Sequence, residues 1–156
     1  MKGRVYLETT IVSYLTALPS RDLVRAAHQQ VTNEWWQRRQ RFDLFISEAV
    51  LQEAAAGDSA AAARRLAALQ AIPVLTLTPQ VTTLAGALLD AGAVPPQAAV
   101  DAVHIAVAAA NGINFLLTWN CAHIANAATR SKIESTCRSL GLVPPVICTP
   151  EELMED

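Results

Sequence analysis

Hydrophobic and polar positions along the chain follow two alternating patterns, and this alternation predicts the fold class. Short apolar runs rich in β-forming residues predict five strands, at Val5–Leu7, Leu44–Ile46, Val74–Leu77, Phe115–Leu117 and Val146–Ile147. Segments with helical periodicity lie between and around them, at 10–17, 21–40, 48–56, 59–71, 79–91, 97–111, 121–127, 129–140 and 150–155. Strands that alternate with helices are typical of an α/β fold with a mainly parallel sheet.

Capping residues indicate where these helices begin and end. Ser47 and Thr78 precede predicted helix starts, and Thr149 with Glu152 has the spacing of a capping box. Glycines after helical segments predict left-handed helix ends at four positions: Gly57, Gly92, Gly112 and Gly141.

Length and composition limit the class of protein. A chain of 156 residues has room for one sizeable core, so we expect residues 1–156 to form a single domain. The composition, 52% hydrophobic and 17% charged, excludes a disordered chain. A net charge of −2 argues against nucleic-acid binding over the whole surface. Clustered arginines leave two alternatives open, local basic patches or solvated helix faces.

No membrane, secretory or zinc-binding pattern is present in the sequence. The longest apolar run is interrupted by Asp101 and His104 and is shorter than the ~20 residues that span a bilayer. The N-terminal segment reaches Glu8 before an apolar signal core forms, so we expect a cytoplasmic protein. The three cysteines contain no C-x-x-C pair, which fits neither a disulfide framework nor a zinc site.

Polar side chains follow two of the predicted strands. Glu8–Thr10 comes after the first strand, and Thr118–Asn120 comes after the strand that ends at Leu117. Ligands of open α/β sheets bind outside the carboxyl ends of the strands, so both clusters lie where a site is expected. The helix that carries Asp101 runs antiparallel to its strand and begins at this same edge.

Two acidic residues have no simple local explanation. Asp101 lies in an apolar helix, and no lysine or arginine occurs between Arg65 and Arg130, so either a distant cation or a bound one must neutralise it. Glu53 lies about a turn and a half into its helix, beyond the reach of the helix dipole. Taken singly, each candidate residue also has an ordinary structural explanation. Glu53 could be an exposed helix acid and Asn120 a turn residue or N-cap. Glu8 could be the neighbour of a helix N-cap, and Asp101 the buried partner of an arginine. Together, four residues offer hard oxygen ligands of the kind that Mg²⁺ and Mn²⁺ prefer: Glu8, Glu53, Asp101 and Asn120.

With these residues, the chain resembles the PIN-domain nucleases, specifically the VapC-like toxins of bacterial toxin–antitoxin systems. The order and spacing of several segments carry the resemblance: Tyr6–Ser13, Ser47–Glu53, Asp101–Ala106, Leu116–Asn120 and Thr149–Leu153. The resemblance implies a single PIN-like domain with a five-stranded, mainly parallel sheet flanked by helices on both faces. It also implies an acidic pocket for one or two Mg²⁺ or Mn²⁺ ions and hydrolysis of single-stranded RNA.

The resemblance also implies roles for individual residues and partners. Glu8, Glu53 and Asp101 would anchor the metal ion, Asn120 would orient a coordinated water, and Thr10 would contact the metal shell or the scissile phosphate. A cognate antitoxin would restrain the enzyme, and a homodimer is expected.

Two positions depart from the family pattern. The family usually has Asp where this chain has Glu8, and Asp where it has Asn120. The glutamate keeps its charge on a longer side chain, whereas the asparagine keeps an oxygen but removes a charge. A site with fewer negative charges holds a second divalent ion less firmly, so these departures favour one metal ion over two.

Nearby residues have alternative interpretations. His104 is expected to be a satisfied core histidine, with a hydrogen bond to the Asp101 carboxylate as the second interpretation. Trp119 is compatible with stacking on a base or with packing at the sheet. Trp35 and Trp36 point to different sides of one helix, so we expect at most one in the core and the other against a subunit or partner.

The sequence leaves one main alternative to a nuclease and argues against three other classes of protein. A PIN fold that binds RNA or protein without cleaving it is the main alternative, because of the departures at Glu8 and Asn120. A phosphotransfer receiver domain is disfavoured because Glu8 stands alone and no lysine follows the last strand. Nucleotide-binding Rossmann and P-loop folds are excluded because their glycine motifs are missing.

Overall fold

A computed structural model describes residues 1–154, and its five strands form a parallel sheet. The strands are β1 (Gly3–Leu7), β2 (Phe42–Ser47), β3 (Val74–Leu75), β4 (Phe115–Leu117) and β5 (Val146–Cys148). Their order across the sheet is β3-β2-β1-β4-β5, and each neighbouring pair is parallel. The predicted α/β class and the parallel five-stranded sheet are therefore confirmed.

Helices connect the strands, as the sequence pattern predicts. They are α1 (Thr9–Thr16), α2 (Leu23–Gln37), α3 (Glu48–Ala54), α4 (Ser59–Leu69), α5 (Pro79–Asp90), α6 (Ala99–Ala110) and α7 (Arg130–Ser139). Short 3₁₀ helices at Arg39–Arg41 and Pro96–Ala98 follow α2 and precede α6. Most predicted boundaries agree within a few residues.

The helix predicted at 121–127 is wrong, because this segment forms a turn. The Asn120 carbonyl accepts hydrogen bonds from Ile124 N at 3.2 Å and from Ala125 N at 2.8 Å, and the pattern does not continue. The Asn126 side chain then accepts a bond from Ala128 N at 2.8 Å. Asparagine side chains that bond nearby backbone groups compete with helical hydrogen bonds, which explains why the turn does not extend.

The helix predicted at 150–155 is also not observed, although its capping box is present. Glu152 N donates to Thr149 Oγ1 at 3.4 Å, and Thr149 N donates to Glu152 Oε1 at 3.1 Å. Residues 151–153 form a turn, and the last residue of the predicted helix lies outside the described residues. A capping box satisfies the first backbone donors but does not supply the packing that sustains a short helix.

Other predicted helix ends are confirmed. Thr78 accepts a hydrogen bond from Val81 N at 3.4 Å, and Pro79 occupies the first turn of α5. The glycines predicted to end helices have positive φ angles: Gly57 at +83°, Gly92 at +70°, Gly112 at +64° and Gly141 at +75°.

Both faces of the sheet are covered. Val5, Tyr6 and Leu7 follow one another along β1 and are each at most 1% exposed. Successive side chains of a strand point to opposite faces, so consecutive burial requires packing on both sides. In α6, small alanines such as Ala102 and Ala106 are fully buried and belong to the core. Within residues 1–154, no helix is both long and apolar enough to cross a membrane.

The two neighbouring tryptophans of α2 lie in different environments, as predicted. Trp35 is fully buried and stacks on Phe42, with ring centroids 5.8 Å apart. Trp36 is half-buried, and the Arg39 guanidinium lies 4.4 Å from its ring centroid. A cation over an indole stabilises the ring at the surface, so an intramolecular contact covers part of Trp36.

Several arginines bind backbone carbonyls at helix ends. Arg65 donates to Ala54 O at 2.9 Å and to Ala56 O at 2.6 Å, after the last turn of α3. Arg4 donates to Asn111 O at 2.7 Å beyond the end of α6. Cations stabilise helix C-termini because the carbonyls there lack partners. These arginines therefore have a structural role that neither sequence interpretation included.

The tight packing of α6 leads to a stability prediction. We expect Ala106→Leu to lower the free energy of unfolding by about 1–3 kcal/mol, because a fully buried alanine leaves no room for a larger side chain. Ala63→Leu makes the same change at an exposed position of α4 and is expected to alter it by less than about 0.5 kcal/mol. Urea denaturation followed by circular dichroism measures both. Equal effects would contradict this account of the core.

Candidate active site

The candidate site lies at the carboxyl ends of β1 and β4. From β1 the chain continues to β2 on one side, while β4 pairs with β1 on the other side, so the strand order changes direction between β1 and β4. Glu8 N donates to Leu117 O at 3.1 Å, directly after the β1 ladder. The residues that follow the two strands therefore lie side by side at the position where open α/β sheets bind ligands.

Glu8 is a buried carboxylate held by two hydroxyl groups. The residue is 3% exposed, and its Oε1 atom accepts hydrogen bonds from Thr10 Oγ1 at 2.5 Å and from Thr118 Oγ1 at 2.6 Å. Burial raises the pKa of Glu8, although the nearby His104 and the two hydroxyl groups act in the opposite direction. A cation in contact with this carboxylate would favour its charged form.

Glu53 is paired with a histidine. His104 Nε2 lies 2.6 Å from Glu53 Oε1, and Thr9 Oγ1 donates to the same oxygen at 2.6 Å. Burial alone would raise the pKa of Glu53, but these hydrogen bonds and the charge of His104 hold it below its usual value. The Glu53 side chain is 37% exposed, so this carboxylate also reaches the solvent side of the site.

His104 is anchored from below by a buried chain of hydrogen bonds. Its Nδ1 atom lies 2.6 Å from the Tyr6 hydroxyl, which lies 2.8 Å from Ser47 Oγ, and all three residues are fully buried. Ser47 precedes α3 as predicted, but its side chain makes no capping bond and instead bonds Tyr6. The expectation of a satisfied core histidine is confirmed, and the carboxylate it bonds is Glu53.

Three of these side chains converge closely enough to hold a metal ion. One potential ligand atom from each of Glu8, Glu53 and His104 lies within 4.8 Å of the others. Carboxylate oxygens suit divalent cations, and an imidazole nitrogen is a frequent ligand of transition metals. Two predicted metal ligands therefore meet, together with a histidine that was not predicted as a ligand.

Asp101 lies beside this cluster, in the first turn of α6, and is half-buried. Burial raises the pKa of Asp101, whereas a hydrogen bond with the Asn120 side chain and the charges of His104 and His123 lower it. The charge of Glu53 raises it further, which places the two carboxylates in electrostatic contact. Within residues 1–154, the groups that act on Asp101 include no lysine or arginine.

Thr10 and Asn120 are already engaged in hydrogen bonds. Thr10 Oγ1 donates to Glu8 and accepts from Trp119 N at 2.8 Å. Asn120 Oδ1 accepts from His123 N at 3.0 Å, while the side chain also bonds Asp101. Both residues therefore orient a neighbouring carboxylate, and they link the turn after β4 to the acidic cluster.

Trp119 is a packing residue. It is 9% exposed, its Nε1 atom donates to Thr32 Oγ1 at 2.8 Å, and its ring stacks on His28 with centroids 3.9 Å apart. One face and the polar edge of the indole therefore contact α2. This geometry supports packing at the sheet over stacking on a base.

Sequence reasoning missed several residues that shape the site: Tyr6, Thr9, Ser47 and Thr118. Thr9 and Thr118 belong to the polar clusters after β1 and β4, so their positions in the sequence already indicate that they lie near the site. Tyr6 and Ser47 gave no such signal, because a tyrosine inside a strand and a serine before a helix have ordinary structural explanations. Their roles depend on which side chains face each other across the sheet.

Comparison with known proteins agrees with this geometry. The PIN domain family model matches residues 5–120. No curated protein matches the chain. The VapBC2 structure from Rickettsia felis, bound to a DNA fragment from their promoter, has a TM-score of 0.57 at 15% identity and covers 94% of this chain and 98% of that one. VapC20 from Mycobacterium tuberculosis, a Sarcin-Ricin loop cleaving toxin, has a TM-score of 0.60 at 18% identity and covers 76% of this chain and 92% of that one.

The chain therefore belongs to the PIN domain family, a family of nucleases that generally depend on divalent metal ions. The match spans the segment from β1 to Asn120, which contains all the site residues named above except His123. The likeness to the two VapC structures, at 15% and 18% identity, establishes the shared fold. The resemblance recognised in the sequence is confirmed at the level of the family.

The buried hydrogen bonds of Tyr6 lead to a second stability prediction. We expect Tyr6→Phe to lower the free energy of unfolding by about 1–3 kcal/mol, because Ser47 and His104 each lose a buried partner. Tyr14→Phe is the matched control, since the other tyrosine of the chain is only half-buried, and we expect a change below about 0.5 kcal/mol. Urea denaturation of both variants measures the difference. A Tyr6→Phe protein as stable as the Tyr14→Phe protein would contradict the hydrogen-bond chain.

Proposed function

We propose that the protein is a metal-dependent endoribonuclease that hydrolyses single-stranded RNA, and that it is the toxin of a toxin–antitoxin pair. The observation that carries this proposal is the convergence of Glu8 and Glu53 at the change of strand order, with Asp101 beside them, in a chain of the PIN domain family. A buried carboxylate beside two others is unfavourable unless a cation compensates it. Mg²⁺ or Mn²⁺ fits this oxygen-rich cluster.

The site residues have two roles: some would bind the metal ion, and others orient the metal-binding carboxylates. Glu8, Glu53 and Asp101 would hold the metal ion, which supplies Lewis-acid activation of water and stabilises negative charge on phosphate. Thr10 and Thr118 fix the Glu8 carboxylate, and the Asn120 side chain orients Asp101. With the carboxylates held in place before the substrate arrives, little reorganisation is needed during the reaction.

The environment of Asn120 favours a single metal ion. Its oxygen accepts a backbone hydrogen bond and its side chain bonds Asp101, so this residue acts on the metal through Asp101. An aspartate at the same position would add a fourth negative charge to the site. Three carboxylates with one amide suit one divalent ion better than two.

A cognate antitoxin is the partner we propose for this chain. The Rickettsia felis neighbour is a VapBC2 structure bound to promoter DNA, which supports an assembly of toxin and antitoxin by analogy. We propose in addition a homodimer and action in the cytoplasm, where RNA is the substrate.

A test of this proposal compares two Asp→Asn variants on a labelled single-stranded RNA. We expect cleavage by the wild-type chain with Mn²⁺ and none after addition of EDTA. Asp101→Asn is expected to reduce the cleavage rate by at least about 100-fold. Replacing a residue that only contacts a metal ligand typically lowers activity by about 10- to 100-fold, and loss of a ligand itself should cost more. Asp43→Asn should retain the rate, since Asp43 is exposed near the opposite end of the sheet.

The outcome of this assay separates the nuclease from its main alternative. Binding of RNA without cleavage, equal with and without Mn²⁺, would overturn the enzymatic proposal and favour a PIN-fold binding module. Cleavage that survives both EDTA and Asp101→Asn would indicate a contaminating nuclease and would equally remove support for the proposed site.

A second test concerns the charge at Asn120. We expect Asn120→Asp to lower the thermal stability of the metal-free protein, because two carboxylates would then face each other where an amide now bonds Asp101. Mn²⁺ should restore stability and raise the unfolding temperature by more than it does in the wild type. Asn33→Asp makes the same change on an exposed part of α2 and should show the wild-type response. Equal Mn²⁺ responses in all three proteins would contradict this view of the site.

A further inference from the structure

We propose that His104 Nε2 is a nitrogen ligand of the metal ion, so that the centre prefers Mn²⁺ and other transition metals to Mg²⁺. The inference rests on the proposed function and specifies its metal site. An all-oxygen site was expected from the sequence, whereas the three side chains whose donor atoms lie within 4.8 Å of one another are Glu8, Glu53 and His104.

The anchoring of His104 is of the kind found in metal-binding histidines. Such a histidine bonds a neighbouring group through its second ring nitrogen, which fixes the tautomer and the orientation of the ring. Here Nδ1 lies 2.6 Å from the Tyr6 hydroxyl, and the fully buried ring cannot turn without breaking that bond. The other nitrogen, Nε2, therefore points steadily at the carboxylate cluster.

The hydrogen-bond chain explains how Nε2 becomes available. The Tyr6 hydroxyl has one proton and two polar neighbours, Ser47 Oγ and His104 Nδ1. A neutral imidazole carries one N–H and has two tautomers here. In the first, Nε2–H donates to Glu53 Oε1 and the Tyr6 hydroxyl donates to Nδ1. In the second, Tyr6 donates to Ser47, Nδ1–H donates to the Tyr6 oxygen, and the lone pair of Nε2 is free to bind a metal ion. Binding of a divalent cation would select the second tautomer, because a bond from Nε2 to the metal ion would replace the 2.6 Å hydrogen bond to Glu53 Oε1.

The identity of the ligand atoms determines the preferred metal. Mg²⁺ is a hard cation that prefers oxygen and loses its water reluctantly, whereas imidazole nitrogen suits transition metals. A site with one imidazole and carboxylates should therefore bind Mn²⁺ more tightly than Mg²⁺. Loss of the imidazole should weaken Mn²⁺ binding much more than Mg²⁺ binding.

Electron spin-echo spectroscopy of bound Mn²⁺ tests this ligand directly, without relying on RNA cleavage. We expect the wild-type chain to show nitrogen coupling to Mn²⁺, with a pattern that changes when histidine is labelled with ¹⁵N. His28→Gln and His123→Gln should keep the coupling, and these are the other two histidines of the chain. Assignment to His104 then does not depend on replacing a buried residue.

Metal affinity gives the second readout. We expect the wild type to bind Mn²⁺ more tightly than Mg²⁺ in titrations of each metal alone. His104→Gln should lose the nitrogen coupling. Its Mn²⁺ affinity should fall by at least about 10- to 100-fold, the loss that follows even when a residue that only contacts a metal ligand is replaced. The variant should therefore lose most of its preference for Mn²⁺ over Mg²⁺. Circular dichroism checks that this variant is folded, and the labelled wild type decides the question if it is not.

The possible results separate this inference from the proposed function. Mn²⁺ bound without histidine coupling, while Mn²⁺-dependent cleavage of RNA persists, would overturn the nitrogen ligand and leave the nuclease intact. Histidine coupling without RNA cleavage would support the ligand and overturn the nuclease. If coupling were lost in His123→Gln but kept in His104→Gln, the nitrogen ligand would be His123, which would also overturn the inference.

Discussion

The pairing of β1 with β4 is the constraint on which the site depends, because it brings a buried acid against the residues that hold it. Glu8 N bonds the last carbonyl of β4, and the Thr118 hydroxyl then reaches the Glu8 carboxylate. Thr10 bonds the same oxygen and also accepts from Trp119 N. The segments that follow the two strands are thereby joined around one carboxylate, and its position is set by the sheet itself.

The polar groups below this carboxylate are tolerated because each has a partner. Tyr6, Ser47 and His104 are fully buried, and a hydroxyl or imidazole without a hydrogen bond there would cost about 1–3 kcal/mol. The chain Ser47–Tyr6–His104–Glu53 satisfies these groups and connects the interior of β1 and β2 to the edge of the sheet. Polar groups held in this way define one arrangement of the core beneath the site.

The site has two parts that are held by different kinds of element. Glu8 and Glu53 receive hydrogen bonds from threonines that are themselves fixed by the backbone of α1 and by β4. Asp101 is half-buried, and its neighbours Asn120 and His123 belong to the end of β4 and the turn after it. The turn replaces a predicted helix, and this places the Asn120 oxygen on His123 N. The first part is therefore built on regular elements, and the second part includes a turn.

The sequence by itself determined the parallel sheet, the edge at which Glu8 and Asn120 lie, and the order of strands and helices apart from the helices predicted at 121–127 and 150–155, because periodicity and caps are local properties. It also indicated Asp101 and Glu53 as acids in need of a partner. That residues 1–156 form a single domain stays a prediction. Only the tertiary structure decided that His104 faces Glu53, that Tyr6 and Ser47 anchor it, and that Asn120 serves Asp101. These contacts join residues that are distant in the chain, and their geometry follows from how α3 and α6 pack on the sheet, which no local pattern encodes.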